Sequence, residues 1–136
     1  RIQEDDVPDC NKIYSMGQPV VNSTDFKIIV PIQNNNSSSA FVDALIISWD
    51  NQNASRLTQV ILNNAVIWSD LPTGRKGPGQ VSNTIWGSSP ADRTIEPGTE
   101  KQLVFVFDSK QVVDWTQIIV TMKDQLSTVC PVSPPK

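Results

Sequence analysis

Histidine is missing altogether from the 136 residues. Its absence excludes Ser-His-Asp and Cys-His mechanisms, and with them the commonest zinc sites. Cysteine is scarce, with only Cys10 and Cys130, and aromatic residues make up just 7% of the chain. No apolar run approaches the roughly 18 to 20 residues that cross a bilayer as a helix, so no membrane span is expected. Positive charge is not in excess, with 11 Lys and Arg against 14 Asp and Glu and a formal net charge of -3. Nucleic acid is therefore not an expected partner. A 3.6-residue apolar period is also lacking. The chain opens on "RIQEDDVPD" rather than on Met, from which we expect that a signal peptide or N-terminal anchor has been removed.

What is present alternates. "TDFKIIVPIQ" sets Phe26, Ile28, Val30 and Ile32 on one face, with Pro31 tolerable at a sheet edge. "AFVDALIISW" aims Leu45, Ile47 and Trp49 one way, with Asp43 and Ser48 elsewhere. "LTQVIL" and "AVIW" meet at Asn63-Asn64, a pair that tolerates the positive backbone angles of a tight hairpin turn. "KQLVFVFD" aligns Leu103, Phe105 and Phe107, and "DWTQIIVTMKD" aligns Ile118, Val120 and Met122. Pro97-Gly98 marks a turn, "KIYSM" a weak first strand, and "SKQVVDW" at most one or two helical turns. The span from 69 to 94 reads as a long loop with a short strand inside. Together these features predict an all-β fold: an immunoglobulin-like β-sandwich of about seven antiparallel strands. We expect a polar segment at 1–9, a single sandwich domain at 10–130 and a Pro-rich tail at 131–136, after which another domain or anchor would follow.

Cys10 and Cys130 lie near the two ends of the chain and suggest a terminal staple, the alternative being two buried thiols. The Asn-, Ser- and Thr-rich, histidine-free composition suits an oxidising exterior and favours the bridge. Such a closure contributes roughly 4 to 5 kcal/mol in the loop-entropy picture. Asn22, Asn35, Asn36 and Asn53 each begin an N-glycosylation pattern. Asp50, Asp70, Asp92, Glu96 and Asp108 fall near predicted turns, where scattered carboxylates are ordinary solvated surface. No catalytic constellation emerges, so we expect no enzyme and no cofactor. Neither "EDDVPD" nor "DNQN" has the ordered ligand spacing of a calcium loop. Trp49 and Trp68 end strands in phase with apolar neighbours and read as core. Trp86 lies in the loop, where it either plugs the sandwich edge or faces solvent as a platform for a sugar ring. Arg75 and Lys76 in "TGRKGPG" read as a solvated loop tip.

In order, the early Cys, "VPIQNN", "ISWDNQN", "LTQVILNNAVIW", "DRTIEPGTEKQLVFVF" and "IIVTMKD" before a last Cys resemble the extracellular immunoglobulin-like modules of bacterial secreted, surface-anchored and pilin-like proteins. The resemblance covers Cys10 to Cys130. It implies a secreted or cell-surface sandwich with bridged terminal cysteines, no catalytic residues, and a structural or adhesive role whose partners are further copies of itself or other surface proteins. It departs from type IV pilins in having no long apolar N-terminal helix. The rival expectation is a carbohydrate-binding module centred on Trp86.

Overall fold

The computed structural model describes residues 9–22, 27–49, 56–69, 75–76, 79–83, 89–108, 115–124 and 128–134. After a short 3₁₀ turn at Cys10–Lys12 come strands β1 (Ile13–Ser15), β2 (Val20–Asn22), β3 (Lys27–Asn34), β4 (Ala40–Trp49), β5 (Arg56–Leu62) and β6 (Ala65–Ser69). They are followed by β7 (Arg75–Lys76), β8 (Gly79–Asn83), a second 3₁₀ turn at Pro90–Arg93, β9 (Thr94–Ile95), β10 (Thr99–Phe107), β11 (Trp115–Asp124) and β12 (Val129–Val132). All pairings among the described residues are antiparallel, in two sheets. The larger runs β1-β3-β10-β5-β6, with β2 continuing the lane of β1 and β7 that of β6; the smaller runs β12-β11-β4-β8, with β9 continuing the lane of β8.

The core follows the alternation in the sequence. Ile28, Val30 and Ile32 on β3, Leu103, Phe105 and Phe107 on β10, and Ile118, Val120 and Met122 on β11 are buried, while their immediate neighbours are not. Each such side chain contributes roughly 1.5 to 3 kcal/mol by leaving water. On β4 the inward set changes phase, from Ala40 and Val42 to Leu45 and Ile47. A bulge is responsible: Met122 pairs with Val42 but Thr121 pairs with Ala44, so Asp43 is the extra residue. A second bulge leaves Thr58 unmatched between Gln59 and Leu57 opposite β10. In both places a side chain serves the nearby backbone, Thr58 Oγ1 donating to the Val106 carbonyl at 3.1 Å and Arg93 Nε to the Val42 carbonyl at 3.0 Å.

The Asn63-Asn64 hairpin forms as expected, with φ of 48° and 73°, the left-handed values of a primed two-residue turn. On β6 another irregularity sets Val60 opposite Trp68 and Ile61 opposite Val66, leaving Ile67 extra. Ile67 is buried, and Trp68 packs against the core while keeping part of its surface exposed. Gly98, at φ 74°, closes the Pro97-Gly98 turn, with Thr99 N donating to the Glu96 carbonyl.

Several readings are revised. Pro31 is not at an edge: β3 lies between β10 and the β1–β2 lane. That lane is interrupted from Met16 to Pro19, and Met16 N donates to the Pro31 carbonyl at 2.8 Å. In a strand the carbonyl and N–H of one residue point the same way, so the donor that proline lacks would have met the interruption. The 69–94 span holds more than the one short strand expected: β8 is joined by β7, and β9 begins at its last residue. Arg75 and Lys76 form β7, paired with Leu57 and Arg56, rather than a loop tip. Among the described residues twelve strands occur against the expected seven, because short segments complete lanes whose partners are remote in sequence. The 131–136 stretch, read as a tail, begins inside β12: Pro131 and Val132 are strand residues, and Val132 and Pro134 are buried.

Candidate functional site

Two polar regions stand out, one closed and one open. The closed one grows from the end of β3. Asn34 is fully buried; its Nδ2 donates to the carbonyls of Ser38 and Ile95, its Oδ1 accepts from Asn36 N, and its own carbonyl accepts from Gly98 N. Asn36, also buried, reaches back to Asp9: Nδ2 donates to the Asp9 carbonyl at 3.1 Å and Oδ1 accepts from Asp9 N at 2.8 Å. Asp9 in turn caps the first 3₁₀ turn, its Oδ1 accepting from Asn11 N. The next residue, Cys10, is bonded to Cys130, with 5.2 Å between their Cα atoms. The bridge joins the entry to β1, an outer strand of the larger sheet, to β12, an outer strand of the smaller. It fastens one open side of the sandwich.

Between these two asparagines, Asn35 points outward. It is exposed, its Nδ2 donating to the Tyr14 hydroxyl and its Oδ1 accepting from Gln33 Nε2. Of the two glycosylation candidates whose side chains the structure describes, Asn35 and Asn36, the folded surface offers Asn35. A glycan on Asn36 would have to displace its buried pairing with Asp9. Asn22 ends β2; Asn53 lies outside the described residues, as does Trp86.

The open region is the outward face of the larger sheet. Here a depression of about 340 Å³ is lined by Lys27, Ile61, Val104, Gln102, Glu100 and the Asn63-Asn64 turn. Alternation puts them there: Lys27, Ile61 and Val104 are the outward neighbours of buried Ile28, Val60 and Leu103. Three amides, one ammonium and one carboxylate over an aliphatic floor can hydrogen-bond a polar ligand or shield a protein contact. They supply no paired nucleophile and base. Sequence reading singled out none of these residues for a site except the turn, and that only as a turn.

Among the described residues the carboxylates are dispersed. Asp108 Oδ1 accepts from Arg56 N at 2.9 Å, and exposed Glu96 pairs with Lys101 at 2.9 Å. The hydrogen bond from Lys101, reinforced by its charge, holds the Glu96 carboxyl below its ordinary value. Burial pulls the Arg93 guanidinium below its usual value, opposed by Asp43 and Asp92. Asp50 and Asp70 lie outside the described residues. Among the described residues no group of three or more metal-ligating side chains occurs, and no helix is long and apolar enough to cross a membrane.

Fold and site together define an all-β, two-sheet sandwich closed by a disulfide near its termini. Neither a protein-family model nor a curated protein matches the chain.

Proposed function

We infer that the protein is a non-enzymatic, exported module of the cell surface with a structural or adhesive role, of the kind used in filaments. The observation that carries this reading is the Cys10–Cys130 bond, which ties the outer strands of the two sheets across nearly the whole chain. Bonds of this type persist in oxidising surroundings, and they stabilise most where they close long stretches of chain. The likeness to extracellular immunoglobulin-like modules points the same way, as does the exposed acceptor Asn35.

The sheet edges bear on how such modules would join. Among the described residues the β1–β2 lane breaks at 16–19, and β12 is four residues long and carries Pro131. Interrupted or proline-bearing edges resist strand addition. Contact through a sheet face suits this molecule better than edge-to-edge docking.

Carbohydrate binding keeps one observation in its favour. The amides of Asn63, Asn64 and Gln102 line the depression and are apt donors and acceptors for sugar hydroxyls. Two measurements on source cells and purified protein test the choice. Protease shaving of intact cells with immunogold microscopy should release the module from the surface and decorate surface structures. Retention inside the cells would contradict export. Saturable binding of an oligosaccharide, lost in Gln102→Ala, would put the carbohydrate reading first.

A further inference from the structure

One row of side chains crosses the entire outward face of the larger sheet. The register aligns Val20 with Ile29, Ile29 with Val104, Val104 with Ile61, and Ile61 with Val66. Each lane contributes one β-branched aliphatic. All five point away from the core, since Ile28, Val30, Val60, Leu62, Ile67, Leu103 and Phe105 occupy the inward positions beside them. The outer two are well exposed, Val20 at 57% and Val66 at 46%. Pro31 and Val106 widen the row on either side of its centre.

The outward positions of a half-wet sheet are ordinarily polar. An aliphatic row spanning every lane of the sheet is the kind of contiguous patch that marks an interaction surface. Its order, Val-Ile-Val-Ile-Val, is the same read from either end, with Val104 of the central strand in the middle. A two-fold axis along β10 therefore places Val104 on Val104, Ile29 on Ile61 and Val20 on Val66 of a second copy. In the next row Lys27 comes over Gln59 and Val106 over Val106, so no like charges meet there. Toward the start of β10, Gln102 comes over Gln102, and Glu100 over Glu100.

The size of the face is adequate. Five lanes about 4.8 Å apart and strands of about 3.3 Å per residue give on the order of 500 to 600 Å² per copy. Two copies then bury about 1,000 to 1,200 Å², the size of a weak, transient interface.

We propose that this face is a homotypic interface, through which two copies pack sheet against sheet about a two-fold axis centred on Val104. An isologous contact needs a self-complementary patch, which the palindromic row supplies. The inference deepens the surface-module reading by naming the partner, and rests on it for why copies should meet.

Sedimentation equilibrium on the purified, bridged protein tests the pairing over a dilution series. The wild type should show a reversible monomer–dimer equilibrium, weak and concentration-dependent. Val104→Lys should weaken the dimer at least about tenfold, because it buries an ammonium at the centre of the contact. Val66→Lys, at an exposed edge position where folding is not at risk, should weaken it in the same direction. Glu100→Gln should tighten it several-fold by removing one of the two like-charged contacts on the axis, the other being Asp108 over Asp108. Circular dichroism checks that each variant is folded. A wild type that stays monomeric at millimolar concentration overturns the proposal, as does a dimer indifferent to both lysine variants. Failure here is distinct from failure of the export reading: a monomer on the cell surface sinks the dimer alone, and a dimer retained inside the cell sinks export alone.

Discussion

Asparagine occurs in two consecutive runs, at 34–36 and at 63–64, and the fold uses them in opposite ways. In the first, Asn34 and Asn36 are buried and spend their carboxamides on backbone groups of four residues in three segments, Asp9, Asn36 with Ser38, and Ile95. In the second, the side chains are exposed, and it is the backbone that matters, held at positive φ to reverse the chain. The same residue type serves once as a hydrogen-bonding plug and once as a tolerated left-handed conformer. Environment, more than composition, sets what an asparagine contributes.

Breaking the covalent tether beside the first run should have the largest effect. The double variant Cys10→Ser, Cys130→Ser is expected to lose about 2 to 5 kcal/mol of stability in chemical denaturation. The Asn36–Asp9 pair would then hold the N-terminal entry without the bridge. Next comes Asn34→Ala, which strands the Ser38 and Ile95 carbonyls and the Asn36 amide; we expect a loss of about 2 to 4 kcal/mol. Asn36→Ala should cost less, about 1 to 2 kcal/mol, and should speed hydrogen exchange at the Asp9 amide.

At the second run the expectation changes kind. Asn64→Gly should stay within about 0.5 kcal/mol of the wild type, whereas Asn64→Val should lose about 1 to 2 kcal/mol, because a β-branched residue resists positive φ. If Asn64→Val were harmless and Asn34→Ala equally so, the contrast between the runs would collapse.

The smallest effect concerns pH. Glu96 is held more acidic in the folded chain by Lys101. Its stabilisation is fully present above the ordinary carboxylate value and disappears as the pH falls through the lower folded value. Since the pair is exposed on the Glu96 side, the loss should be a fraction of a kcal/mol. Lys101→Met should flatten that part of the acid-denaturation profile relative to the wild type.

How much was legible in sequence follows from the distance between interacting residues. β3, β10, β11 and the β5–β6 hairpin announced themselves, because alternation and the Asn-Asn turn are local signals. The phase change on β4 did not, since the Asp43 bulge exists only against β11. β8 meets the short strand expected inside the Gly- and Pro-rich span, whereas β7 and β9 were hidden because their pairing partners lie on β5 and β4. The bridge between the two cysteines was legible from their placement near the chain ends together with the Asn-, Ser- and Thr-rich, histidine-free composition. Asn34 drew no notice in the sequence because nothing nearby reveals that Ser38, Ile95 and Gly98 converge on it. The aliphatic row was invisible for the same reason: Val20, Ile29, Ile61, Val66 and Val104 become neighbours only once five lanes are in register.

Everything proposed about the protein's place outside the cell leans on the bond between its first and last strands. Non-reducing peptide mapping of the native protein, alkylated at the moment of cell lysis, measures it directly. Export predicts that the Cys10 and Cys130 peptides are recovered joined in nearly all molecules. Recovery of both as separate, alkylated thiols in the native material would contradict it.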